Sequence, residues 1–326
     1  MNKITQELWF SKEEYQYRIS KIKNKINKLN IDALIVFFPE NVTWSTGFFT
    51  RGYSSFQFAI IPASGEPHII CRDVEEFYIK KSSPFSKYSL WNDSDDKIKI
   101  ATQAIKSLLG KKASIAIEEN AWSLSVTRYR EMKRQLKGFE WHDGSNIIIN
   151  LRMIKSEAEI IYQKKAAHAA EMGMFSAIEM ATTGISEREL AANICKKMIM
   201  EGSDRAGPGV LSSGERAMYL HGGYSDRIFK FGDKIQLETT PHVKYYHARF
   251  MRPIMVESAT DQEYKFVESL INIQDEALKE VKPGVLAVVP DLIYREGIMN
   301  LVNEGQYTNK TFYSIGLLME RSGGAV

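Results

Sequence analysis

Gly232-Asp233-Lys234-Ile235-Gln236-Leu237-Glu238, together with Tyr246-His247-Ala248-Arg249-Phe250-Met251-Arg252, is the stretch on which the fold turns; Arg249 follows Glu238 by eleven residues. From Asp233 to Val256 the chain reads as strands, with a turn expected at Thr240-Pro241-His242. Side chains alternate faces along a strand. Tyr246 and Ala248 therefore share one face, His247 and Arg249 the other, which makes His247 a neighbour of Arg249. Arg249 is permanently cationic and cannot ligate a metal, but its guanidinium binds a carboxylate in a two-point fork. Glu238 has two readings: a carboxylate that orients a histidine, a substrate cation or a water, or a buried partner for Arg249 or Arg252. His242, beside Pro241, reads as a surface or turn residue.

Outward from this stretch, 326 residues exceed what one hydrophobic core usually organises, and 44% hydrophobic content is ordinary for a globular chain. A net charge of +3 gives no single-sign field for nucleic acid, and the basic run Lys21 to Lys28 is interrupted by apolar residues like the wet face of a helix. The longest apolar run, Ala33 to Phe38, falls far short of the roughly 20 residues that cross a bilayer, so a cytoplasmic protein without a membrane partner is expected. Cys71 and Cys195 are the only cysteines and form no metal or disulfide pattern. No glycine-rich nucleotide loop is present, and the methionines at 172, 174, 180, 198 and 200 fall at helical spacing suited to core packing.

Tyr15, Ile19, Ile22, Ile26 and Leu29 recur at helical intervals over 12–29, and Ala33 to Phe38 reads as a central strand buried on both faces. Phe56 to Ile61 and His68 to Cys71, around Ser64-Gly65-Glu66-Pro67, predict a hairpin. Helices over about 95–109 and 124–136 flank a strand at Ala113 to Glu118. A three-layer α/β domain over about 1–150 follows, with a second domain over 151–326. The second domain opens on a long helix from Ser156 to about Ala181, and Ser186 with Glu189 predicts a capping box for the next one. Helices are also expected at about 260–281 and 290–304, joined through Lys282-Pro283-Gly284.

Several phrases, in order, resemble the creatinase/aminopeptidase P/methionine aminopeptidase family. They are Ile31 to Val36, the Pro39 to Phe48 loop, the Arg152 to Ser156 junction, the Gly184 to Glu189 helix start, the Gly232-Asp233 strand start and Tyr313-Ser314-Ile315-Gly316-Leu317. The resemblance implies a creatinase-type, ribonuclease-H-like α/β N-terminal domain followed by an α+β pita-bread domain. It also implies a homodimer acting on a small molecule. The family's usual metal-ligand positions fall on Glu238, Arg249 and Tyr313, where aspartate, aspartate and histidine are customary. After Leu317 the chain ends in Leu318 to Val326, which reads as an early stop that leaves the pita-bread domain incomplete.

On that resemblance the metal-independent branch, which includes creatinase and ectoine hydrolase, is the expected one, with no cofactor. The expected activity is hydrolysis of a C–N bond in a small carboxylate-bearing amidine or amide. His221, in Tyr219-Leu220-His221-Gly222-Gly223, takes the family's catalytic-histidine place, and an imidazole suits proton transfer near neutrality. Glu238 is the second catalytic candidate; Tyr246, His247, Arg249 and Tyr313 are the substrate-binding candidates. A metal-dependent Xaa-Pro aminopeptidase or dipeptidase, and a non-catalytic product, are the alternatives.

Overall fold

The computed structural model describes residues 5–205, 207–302, 305, 307 and 309–319. The chain divides into two compact units, Met1–Ala158 and Glu159–Val326.

In the first unit Ser11 caps helix α1 (Lys12–Lys28) by accepting the Glu14 amide at 3.2 Å. The stripe Tyr15, Ile19, Ile22 and Ile26 is buried as the spacing requires. Strand β1 (Ala33–Val36) leads into helix α2 (Pro39–Thr46). That helix corrects the loop expected there. Proline starts it without losing a useful donor, and it ends on Gly47 at φ 74°, where a β-carbon would lie 2.6 Å from the Ser82 carbonyl oxygen. Then come β2 (Phe58–Pro62), β3 (His68–Arg72), α3 (Glu76–Ser82), β4 (Lys87–Trp91), α4 (Lys97–Leu109), β5 (Ser114–Ile117), α5 (Val126–Gln135), β6 (Glu140–Asp143) and α6 (Ser145–Arg152).

The six strands form one mixed sheet in the order β4-β3-β2-β1-β5-β6. β1 is antiparallel to β2 and parallel to β5, so it lies at the centre. All four of its residues are buried, which is why its sequence shows no polar alternation. Ala33 and Ile35 join Phe58, Ile60 and Ile117 in a cluster closed by Ala101, Ile105 and Met132 from α4 and α5. Each such isoleucine stabilises the fold by roughly 1.5–3 kcal/mol. Cys71 belongs to this buried sheet, and burial raises its thiol pKa far above the ordinary range, so it is an inert thiol.

In the second unit α7 (Glu157–Met180) and α8 (Glu187–Met200) cross where Gly173 meets Met198; a β-carbon at 173 would sit 2.6 Å from the Met198 side chain. Strands β7 (Pro208–Ser213), β8 (Lys234–Thr239), β9 (His242–Val243), β10 (Tyr246–His247) and β11 (Phe250–Met255) follow. β8 runs between β7 and β11, antiparallel to both, with Met251 opposite Glu238. Leu190, Ile194 and Met198 of α8 pack with Leu211, Ile235, Leu237 and Ile254 of this sheet. A register break between Pro208 and Leu211 takes Val210 off the ladder.

The turn expected at Thr240-Pro241-His242 lies elsewhere. His242 is already in β9, and Lys244 and Tyr245 form the two-residue connection to β10 at φ 50° and 60°. Helices α9 (Asp261–Lys279) and α10 (Val288–Met299) complete the described elements. Tyr264, Phe266, Ile271 and Leu278 of α9 are exposed. No described helix is long and apolar enough to cross a membrane. The expected early stop falls largely on residues 320–326, outside the described residues.

Candidate functional site

A cavity of about 550 Å³ opens in the second unit against the inner edges of β7, β8 and β9. Period two along the chain brings Glu238, Thr240 and His242 to its wall. Glu238 is 5% exposed, and its carboxylate is shared. Oε1 accepts the Nε–H of Arg249, and Oε2 accepts the Val210 N–H at 3.3 Å, the amide freed by the β7 bulge. A β-carbon at Gly209 would overlap this carboxylate, so residue 209 has to be glycine.

Arg249 is held from a second side by Tyr313, whose ring centre lies 4.9 Å from the guanidinium carbon. Of the two readings open for Glu238 in the sequence, the ion pair with Arg249 is the one realised. Arg249 lines the cavity, and its side chain is 28% exposed. His247 lines the same wall. Its Nε2 stands 2.9 Å from the Leu318 carbonyl oxygen, which only accepts, so Nε2 carries the proton. Burial lowers the His247 pKa, and the hydrogen bond to Leu318 offsets part of that. His247 is therefore neutral near pH 7.

Two sequence readings need correction here. Tyr246, expected to touch substrate, faces away from the cavity: it is fully buried, stacks on Tyr162 and donates its hydroxyl to Glu159 at 2.8 Å. His242, expected at the surface, is 5% exposed and lines the cavity, its ring 4.5 Å from Tyr245 and 4.9 Å from His247. The signal for His242 was present as the spacing 238, 240, 242, but Pro241 reads as a chain breaker. Tyr245 and Gly209, also on the wall, carried no signal of their own.

His221 also lines the cavity, in the segment between β7 and β8. Gly222 closes that segment onto β7: its carbonyl accepts the Leu211 N–H at 3.0 Å, and a β-carbon on it would press on Ser212 at 3.0 Å. The structure thus brings His221, Glu238, His247, Arg249 and Tyr313 to one cavity and leaves Tyr246 behind.

Glu187, at the start of α8, was not singled out in the sequence as anything but helix-start chemistry. Its carboxylate is fully buried. Burial alone would raise its pKa, but hydrogen bonds from Ser225, Ser213 and Arg216 outweigh that and hold it below the ordinary carboxylate value.

A metal pair needs several oxygen and nitrogen donors converging on one point. Among the described residues no group of three or more histidine, cysteine, aspartate or glutamate side chains converges in that way. Glu238, the one carboxylate among the described lining residues, is already engaged by a cation, so the described residues do not fit a metal pair.

Residues 18–154 match the creatinase/prolidase N-terminal domain, and residues 162–323 match metallopeptidase family M24. The Xaa-Pro dipeptidase of Pyrococcus horikoshii is 28% identical over 92% of this chain and 81% of its own length. The Xaa-Pro dipeptidase of Pyrococcus furiosus is 26% identical over 92% of this chain and 80% of its own. The crystal structure of the P. horikoshii prolidase superposes with a TM-score of 0.80 at 25% identity, covering 92% of this chain and 82% of that one. The prolidase of Thermococcus sibiricus gives 0.82 at 25% identity over 93% and 82%. The creatinase-type N-terminal domain followed by a pita-bread domain is the fold expected from the sequence. The names of these relatives overturn the expected activity: they are Xaa-Pro dipeptidases and prolidases, not amidine or amide hydrolases of a metal-independent branch.

Proposed function

Because the chain belongs to metallopeptidase family M24, with a creatinase/prolidase N-terminal domain ahead of the peptidase domain, we propose that its cavity takes a short peptide of the Xaa-Pro class. The observation that carries this reading is Arg249. It places a permanent cation on the cavity wall, in a molecule similar to proteins named for Xaa-Pro dipeptides. A dipeptide brings a carboxylate close to its only peptide bond. A guanidinium fork recognises that group in two places. His221, which lines the same cavity, is suited to hold or donate a proton at the peptide nitrogen.

The test is calorimetric titration with Ala-Pro and Gly-Pro, and proline release assayed with and without added manganese. Binding of these dipeptides is expected, weakened at least about tenfold by Arg249→Met, the loss of one charged hydrogen-bond pair. Absence of both binding and proline release, across a panel of Xaa-Pro dipeptides, would sink the proposal. One observation favours a second reading within it, a binder that does not turn its ligand over: Arg249 occupies the Glu238 carboxylate. Binding without proline release at any manganese concentration is the result expected on that reading.

A further inference from the structure

The segment that carries His221 begins at Ser213, the last residue of β7, and returns at Ser225; both ends meet on one carboxylate. Oε1 of Glu187 accepts the Ser213 N–H at 2.8 Å and the Ser213 hydroxyl at 2.7 Å. Oε2 accepts the Ser225 N–H at 2.7 Å, the Ser225 hydroxyl at 2.6 Å and the Arg216 guanidinium. Arg216, itself within the segment, reaches on to the Ser225 hydroxyl at 2.7 Å and the Gly223 carbonyl at 2.8 Å. Beyond Ser225 the chain is tied again, for the Glu187 N–H donates to the Arg227 carbonyl at 2.9 Å. Arg227 in turn pairs with Asp233 at the foot of β8.

Without the Glu187 carboxylate the Ser213 N–H, buried at the end of β7, and the half-buried Ser225 N–H would both lose their acceptor. Outside these bonds His221 sits among exposed residues, with Tyr219 60% and Leu220 55% exposed, so side-chain packing does little to fix it. A buried carboxylate that accepts from two backbone amides, two hydroxyls and a guanidinium satisfies its full set of lone pairs. It also has no direct contact with the cavity.

We infer that Glu187 is the positioning residue of the His221 wall: its ionised carboxylate latches residues 213 and 225 together and so holds His221 at the mouth of the cavity. The functional weight of the latch rests on the proposed peptide site, but its geometry does not. Removing one acceptor oxygen while keeping shape opposes an amide N–H to donors that are already N–H and O–H groups. Glu187→Gln therefore unlatches the segment even where the fold survives.

The test uses the full chain and reads the segment directly. Amide exchange followed by mass spectrometry is expected to speed up about tenfold or more over 214–225 in Glu187→Gln, with exchange in β1 and β5 unchanged. In proton–nitrogen spectra of the histidine rings, the His221 resonance, assigned by its loss in His221→Gln, should shift or broaden. Those of His68 and His142 in the first unit should stay in place. If Glu187→Gln does not fold, Ser225→Ala takes away the hydroxyl bond at one end of the latch while its N–H bond stays, and is expected to show a smaller increase over the same residues. Unchanged exchange over 214–225 and an unmoved His221 resonance, in whichever variant folds, overturn the inference. Because neither readout uses a ligand, failure of the peptide proposal would leave this result standing, and the reverse also holds.

Discussion

Glu118 shows how a single buried acid can set the pH response of a unit. It is fully buried at the end of β5 and accepts the Phe37 and Phe38 amides at 2.8 and 2.7 Å and the Asn41 side-chain amide at 2.6 Å. Arg152 donates to the Asn41 side-chain oxygen at 2.6 Å, and its charge favours the ionised Glu118. Burial outweighs these bonds and pushes the Glu118 carboxyl up from 4.5 to about 7. Between those two values the folded state holds a proton that the unfolded state has released. Stability is therefore fullest below pH 4.5, falls as pH rises and levels off above about 7. At ~1.4 kcal/mol per pH unit the full loss is about 3 kcal/mol.

His68 in the same sheet works in the opposite sense, because burial and then the nearby Lys87 lower its pKa below 6.5. It costs stability as pH falls through its unfolded value. The informative quantity is thus the difference between wild type and Glu118→Gln. Circular-dichroism melts from pH 5 to 8 should show the wild type losing roughly 5–10 °C relative to the variant. Parallel pH curves would show that Glu118 is charged throughout.

At the scale of elements, local chemistry decides the helix starts. The α8 box is complete: Ser186 accepts the Glu189 amide at 3.1 Å, and Glu189 accepts the Ser186 amide at 2.8 Å. Ser186→Ala removes one half of it and is expected to cost about 1 kcal/mol in urea unfolding of the second unit, with an unchanged slope. A cost under about 0.3 kcal/mol would mean that packing alone holds the start of α8. This start was legible in the sequence because the four residues Ser186 to Glu189 contain its whole mechanism. The β9–β10 turn was not, since Lys244 and Tyr245 adopt left-handed backbone conformations that usually attract glycine or asparagine. β7 was missed for a related reason: Pro208 and Gly209 read as breakers, whereas Gly209 is there to make room for Glu238.

Across the whole molecule, the order of short phrases made the two-part fold legible, and the spacing of Glu238 and Arg249 located the cavity. What stayed hidden depends on which face a residue presents after long-range pairing. Strand alternation in the sequence set Tyr246 and Ala248 apart from His247 and Arg249, but β10 ends at His247 and Ala248 lines the cavity with them, while the Glu159 contact shows that Tyr246 belongs to the core. The same distinction between local and assembled information gives a prediction about the first unit. Its six strands all lie between Ala33 and Asp143. The cluster on one face of the sheet is closed by α4 and α5, and no residue of that cluster lies beyond Trp141. β1 is buried throughout, and α1 of the same unit buries Tyr15, Ile19, Ile22 and Ile26. A segment of 158 residues lies within the range in which a single core folds alone. Residues 1–158 produced as a fragment should therefore unfold in one cooperative transition, and they should keep the Glu118-dependent fall in melting temperature between pH 5 and 8. A broad, non-cooperative melt, or dye binding typical of a loosened core, would show that the sheet needs the rest of the chain to close.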